Sequence, residues 1–214
     1  MAVTPPVGDA PHWWREASGA LAASDSTMAR VIAGWTGHGH LRSRGDPFTT
    51  LARSIVGQQI SVKAAQSVWN RFEAAAVTVT PQRVARMRLT TLTKAGLSTR
   101  KAEYVRDLAS HFVSGAVDPA HWPGLDDEAV IEELVQVRGI GRWTAEMFLI
   151  FNLLRPDVYP LDDLGLLKAI SIHYNDGRPV TKAEASELGE RWRPWRTLAT
   201  WYLWRSLDPL PVDY

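Results

Sequence analysis

Apolar residues recur at three- and four-residue intervals along most of the chain, and no alternating strand pattern of any length interrupts them, so helices are predicted nearly throughout. Leu51, Ile55, Val56 and Ile60 share one helical face. Ser61 is placed to cap the next helix, which runs through Ala64, Ala65, Val68, Trp69 and Phe72. Pro81 suits the first turn of a short helix. Thr99 is expected to cap a helix burying Ala102, Val105, Leu108, Ala109 and Phe112. Asp126 caps another, with Asp127 and Glu128 in the first turn, where the helix dipole favours acids, and with Val130, Leu134 and Val137 inside. Thr181 and Glu184 have capping-box spacing, and Pro194 marks the start of the last helix. Turn-forming residues gather at 37–46, 117–124 and 175–179. The expectation is one all-α unit with two lobes.

Composition narrows the function classes. At 45% hydrophobic residues over 214 positions the chain can bury a real core, and a net charge of +1 excludes a disordered polyelectrolyte. That small charge neither supports nor excludes a nucleic-acid partner, because a basic face can oppose an acidic one. No stretch of about 18 or more apolar residues suggests a membrane span. The start, Met1-Ala2-Val3-Thr4-Pro5-Pro6, lacks the basic and apolar regions of a secretory leader, so a cytoplasmic location is expected. Cysteine is absent, which removes disulfides, thiolate zinc sites, cysteine nucleophiles and iron–sulfur clusters together. Ten tryptophans are a surplus that calls for burial or stacking.

The most informative stretch is Val137-Arg138-Gly139-Ile140-Gly141-Arg142-Trp143-Thr144-Ala145, where one amphipathic helix ends and another begins. Glycines two apart allow a tight turn and close approach to another surface, and the free N–H groups of the new helix form an anion site for a phosphodiester. The same pattern serves an ordinary helix–turn–helix corner with a glycine cap. Downstream, Arg155-Pro156-Asp157-Val158-Tyr159-Pro160-Leu161-Asp162-Asp163 ends in two acids at the expected start of a helix over 164–172. Both acids suit plain N-caps as well as a chemical role.

Taken together, the hairpin and this loop resemble the helix-hairpin-helix, Gly/Pro-rich loop and aspartate of the base-excision DNA glycosylases, the HhH-GPD superfamily. Ile55-Val56-Gly57-Gln58-Gln59-Ile60-Ser61, Gly96-Leu97-Ser98-Thr99-Arg100-Lys101-Ala102 and Arg191-Trp192-Arg193-Pro194-Trp195-Arg196 resemble one branch, the 3-methyladenine DNA glycosylase II (AlkA-like) type, in a compact form without an N-terminal β-domain. The resemblance spans roughly residues 47–206. It implies a lobe over 47–155 that contains the hairpin, a second lobe from 1–46 with 156–214 that carries the catalytic acid, and a cleft between them.

The resemblance also implies roles. Asp163 would be the catalytic carboxylate and Asp162 a cap or orienting neighbour. Trp143 and Trp204 would line the base pocket, with Met147 where some relatives have tyrosine; Trp204 equally suits core packing, and Trp192 and Trp195 are lesser choices. Gln58 and Gln59 would enter the gap left by a flipped nucleotide, although Gln58 suits a structural amide nearly as well. Gly139, Ile140, Gly141, Arg142 and Thr144 would meet DNA phosphates, with Lys101 a further choice or a plain surface residue. The backbone carbonyls of Val135, Val137 and Ile140 would hold a sodium or potassium ion, and no other cofactor is expected. Relatives that cut the strand use a lysine where this chain has Trp143, so a monofunctional hydrolase of alkylated purines in duplex DNA is expected, with Lys168 on a helix surface. The alternatives are a relative acting on other damaged or deaminated bases and a non-catalytic DNA-binding module. A monomer acting at the nucleoid, without a membrane, completes the expectation.

Overall fold

The computed structural model describes residues 10–35, 37 and 39–207. Among them are twelve α-helices, one short 3-10 turn and no strand. None of these helices is long and apolar enough to cross a membrane. The chain divides into two compact units, one from Arg44–Phe148 and one combining Met1–Ser43 with Leu149–Val212. The division falls within a helix, a few residues before the position 155 drawn from the motifs.

In the first unit, Asp46 caps α3 (Pro47–Gly57) by accepting the Thr49 N–H, and Pro47 takes the first turn. Phe48, Leu51, Ala52, Ile55 and Val56 are its buried face. Ile60 does not continue that face: the helix ends at Gly57, Gln59 turns into the left-handed region (φ 59°), and Ile60 is 41% exposed. Ser61 caps α4 (Val62–Ala76) as expected, but Trp69, Phe72 and Ala76 are its buried residues and Ala64 is exposed. The short α5 (Pro81–Ala85) and α6 (Leu89–Lys94) follow. The cap of α7 (Thr99–Ser114) is Ser98, one residue earlier than expected, with its hydroxyl on the Lys101 N–H. Helix α7 is the unit's spine: Ala102, Val105, Leu108 and Ala109 are buried and it packs against α3, α5 and α6. Asp126 caps α8 (Asp127–Val135), and α9 (Arg142–Phe151) begins in this unit.

The other unit is built around α12 (Arg196–Leu207), in which every residue from Thr197 through Leu203 is buried. A helix buried on all sides lies inside a bundle, and α12 contacts α1 (Trp14–Ser24), α2 (Ser26–Trp35) and α10 (Leu164–Tyr174). It starts at Arg196, two residues after the expected Pro194. Helix α11 (Lys182–Glu190) carries the complete Thr181–Glu184 capping box. Half of the ten tryptophans are core: Trp13, Trp69, Trp122, Trp192 and Trp201 are buried. Burial of Trp192 removes it as a base contact. Its indole N–H donates to Asp25 (3.1 Å), which also accepts from the Tyr174 hydroxyl and the Thr27 and Met28 N–H groups. Burial pushes the Asp25 pKa up, but these donors outweigh it and hold the carboxyl below its ordinary range.

Val77, which closes α4, sits at φ 67° and is 79% exposed. A β-branched residue is strained there at a cost of about 1–3 kcal/mol, and no burial offsets it. Val77→Gly is therefore expected to stabilise the protein by roughly 1 kcal/mol, raising Tm by about 2–4 °C. Thermal unfolding followed by circular dichroism checks this; a lower Tm would mean that the valine side chain contributes packing here.

Candidate active site and DNA-contacting hairpin

The loop that ends in Asp163 is fixed before it arrives. Thr197 Oγ1 donates to the Arg155 carbonyl (2.6 Å) and accepts the Val158 N–H (2.9 Å), while the Thr197 N–H reaches the Pro156 carbonyl (3.0 Å). The Asp157 carboxylate takes Arg196 through Nε (2.7 Å) and Nη2 (2.9 Å), and Arg193 through Nη1 (2.8 Å). Tyr159 Oη donates to the Ala185 carbonyl (2.8 Å), and its ring fills the space where a Cβ on Gly189 would stand 2.4 Å away.

Asp163 then caps α10. Its Oδ1 accepts the Leu166 N–H (2.7 Å) and the Trp204 indole N–H (2.8 Å), so helix and indole together fix the plane of the carboxyl group. The Trp204 ring is half-buried and stacks on Phe151, with centroids 5.8 Å apart and planes within 13°. Gly165 leaves room for the arrangement: a Cβ there would press on Asp163 Oδ1 at 3.1 Å and touch Trp204 Cδ1 at 3.5 Å. Asp162 does not cap the helix; it is exposed and pairs with Lys182. Lys168 is exposed. Sequence reasoning missed Gly165 and Phe151, although a glycine two residues past a capping acid was a visible signal for close packing.

In the other unit, α8 and α9 frame the hairpin. The Val137 N–H bonds the Leu134 carbonyl and the Ile140 N–H bonds the Val137 carbonyl, while buried Val137 and Ile140 side chains anchor the turn. Gly139 adopts φ 90°, and a Cβ on it would fall 2.2 Å from the Tyr104 ring. Asp107 accepts the Arg138 N–H (2.9 Å). The N–H groups of Gly139, Gly141, Arg142 and Thr144 donate to no acceptor among the described residues. Unpaired N–H groups in the turn and the first turn of a helix are what a phosphate site requires.

Side chains at the hairpin differ from expectation. The Arg142 guanidinium is committed to Glu128 (2.6 and 2.7 Å) and Glu146 (3.1 Å), which raises its pKa and lowers that of Glu128. The guanidinium is thus engaged within the protein, and the Arg142 backbone N–H is left without an acceptor among the described residues. Ile140 and Thr144 are buried, so they too offer backbone only. Trp143 is 41% exposed and Met147 half-buried. Gln58 Nε2 donates to the Gly139 carbonyl (2.8 Å), placing Gln58 in the structural amide role, whereas Gln59 is exposed. Lys101 is half-buried rather than a plain surface residue: its ammonium donates to the Val56 (2.8 Å) and Gln58 (2.6 Å) carbonyls, and burial lowers its pKa.

No group of three or more metal-ligating side chains exists among the described residues. The carbonyls of Val135 and Ile140 accept no hydrogen bond among those residues, and that of Val137 accepts one, from Ile140. Such oxygen donors fit a monovalent cation.

The model of the HhH-GPD superfamily base excision DNA repair proteins matches residues 52–194. DNA-3-methyladenine glycosylase 1 of Schizosaccharomyces pombe is 34% identical over 165 residues, covering 75% of this chain and 72% of that protein. The crystal structure of a DNA-3-methyladenine glycosidase from Bacillus halodurans superposes with a TM-score of 0.84 at 35% identity, over 90% of this chain and 89% of that one. The S. pombe 3-methyladenine DNA glycosylase in complex with abasic DNA gives a TM-score of 0.75 at 31% identity, over 93% and 98% of the two chains.

Proposed function

We propose, since this chain belongs to the HhH-GPD superfamily of base excision DNA repair proteins, that it hydrolyses the N-glycosidic bond of alkylated purines of the 3-methyladenine and 7-methylguanine type in duplex DNA and leaves an abasic site. The names of its relatives support the substrate class. The observation that carries the mechanism is the Asp163 carboxyl group, held at the start of α10 by the Leu166 and Trp204 N–H groups.

Departure of a purine leaves positive charge on C1′ and O4′ of the sugar, as in glycoside hydrolysis. A purine alkylated at N3 or N7 is already cationic and leaves without a proton donor, so one carboxylate facing the developing oxocarbenium is sufficient. Water then adds to C1′ and loses a proton. The nucleotide must first leave the stack. A cationic base is favoured over an indole face by about 0.5–2 kcal/mol, which is the role proposed for Trp143 and Trp204, with Met147 as an apolar neighbour. The hairpin N–H groups hold phosphates without reading sequence, and Gln59 fills the vacated place in the duplex. A sodium or potassium ion on the Val135, Val137 and Ile140 carbonyls would add positive charge beside the phosphate. The proposed protein is a monomer acting at the nucleoid and needs no other cofactor.

Trp143 has no amine with which to attack the sugar. Product DNA is therefore expected to stay intact until heated in alkali, and borohydride is expected to trap no covalent protein–DNA adduct. Denaturing gels of an end-labelled methylated duplex test both points. Strands broken without alkali, or an adduct forming as fast as base release, would overturn the monofunctional reading, and a duplex that gains no alkali-labile site would overturn the glycosylase reading.

A further inference from the structure

Helix α7 presents Lys101, Tyr104 and Asp107 at three-residue spacing, and each meets a different part of the proposed DNA-contacting surface. Lys101 Nζ holds the carbonyls of Val56 and Gln58 at the end of α3. Tyr104 lies under Gly139, and Asp107 takes the Arg138 N–H. Gln58 closes the circuit by donating to the Gly139 carbonyl. Gln58, Gln59, Ser98, Lys101, Tyr104 and Gly139 all border one concavity of about 510 Å³.

The bond from Lys101 to Gln58 has a specific consequence. The Gln58 carbonyl and the Gln59 N–H belong to one planar peptide group. Anchoring that carbonyl at 2.6 Å fixes the orientation of the plane and hence the backbone entry into Gln59. Gln59 stands at φ 59°, a conformation that non-glycine residues seldom adopt and keep only where their surroundings enforce it. Its side chain makes no hydrogen bond to the described residues, so nothing beyond the backbone holds it in place.

We infer that Lys101 is a positioning residue: its ammonium clamps the Gln58–Gln59 peptide so that Gln59 is presented for insertion into the duplex, and Gln58 ties that turn to the phosphate-binding hairpin. This rests on the reading of Gln59 as the inserted side chain. Lys101 acts through Gln59 and touches no DNA, which separates it from a phosphate contact.

A double-mutant cycle tests the inference. Wild type, Lys101→Met, Gln59→Ala and the double variant are titrated on a plain duplex and on the same duplex with a tetrahydrofuran abasic analogue, at several salt concentrations, with melting curves to establish that each is folded. Lys101→Met is expected to lose about tenfold in affinity for the abasic duplex, with plain-duplex affinity and salt slope unchanged, and the double variant to be no weaker than Gln59→Ala alone. Lys101→Arg, which keeps the charge and the donors, is expected to recover most of the loss. If Lys101→Met melts below the assay temperature, Lys101→Gln, which is uncharged and too short to hold both carbonyls, takes its place with the same expectation. Additive losses would overturn the inference, as would equal weakening on both duplexes with a salt slope shallower by about one, the signature of a lost phosphate contact. If Gln59→Ala loses abasic selectivity and Lys101→Met keeps it, the positioning inference fails alone. If Gln59→Ala itself keeps that selectivity, the insertion reading fails and takes the inference with it.

Discussion

Asp163→Asn is expected to slow base release by about 10²–10³-fold, the ~2.7–4 kcal/mol that accompanies loss of one preorganised electrostatic stabiliser. The substitution is unusually clean in this structure. Asparagine is as good an N-cap as aspartate, and its Oδ1 can still accept from the Leu166 and Trp204 N–H groups, so fold, carboxamide plane and stacking on Phe151 are retained. The charge is lost while these two hydrogen bonds are kept. Asp162→Asn removes an exposed pair with Lys182, which is worth at most about 1 kcal/mol, and is expected to leave the rate nearly unchanged. Single-turnover base release at saturating DNA decides between the two acids. Equal rates for wild type and Asp163→Asn would remove Asp163 from the chemistry.

The two hairpin glycines are expected to fail in different ways. A Cβ on Gly141 meets nothing within 4 Å. Gly141→Val therefore costs the fold at most about 1 kcal/mol of capping, yet places a side chain where a phosphate must approach, and is expected to weaken binding to every duplex alike by about tenfold or more. Gly139→Val forces an L-residue to φ 90° and drives its Cβ to 2.2 Å from the Tyr104 ring. Strain and overpacking together are expected to cost ~2–5 kcal/mol of stability. Melting temperature and plain-duplex affinity, measured side by side, separate the two. A Gly141→Val protein that binds DNA normally would show that the phosphate does not approach there.

What could be read from the sequence was local. Ser61, Asp126, Asp163 and the Thr181–Glu184 box are caps because their side chains bond N–H groups two or three residues ahead, a relation that the order of residues encodes directly. Even there, adjacent Ser98 and Thr99 are both residue types that cap helices, and the structure uses Ser98. Partnerships across long separations were not legible. Trp204 and Asp163 lie 41 residues apart and Lys101 and Val56 lie 45 apart, and no periodicity announces either. Arg142 shows both cases: Glu146, one turn ahead, was a visible partner, whereas Glu128 on α8 becomes one only when the hairpin folds back. Helix α12 hid its role for a different reason, because a helix buried on every side has no amphipathic stripe to read.

The most direct measurement of the central claim is the mass of the bases released when wild type and Asp163→Asn are each incubated with a methylated duplex. The expected result is free 3-methyladenine and 7-methylguanine from wild type, with roughly 10²–10³-fold slower release by the variant. Release of unalkylated or oxidised bases instead, or no free base from wild-type protein that binds the duplex, would contradict it.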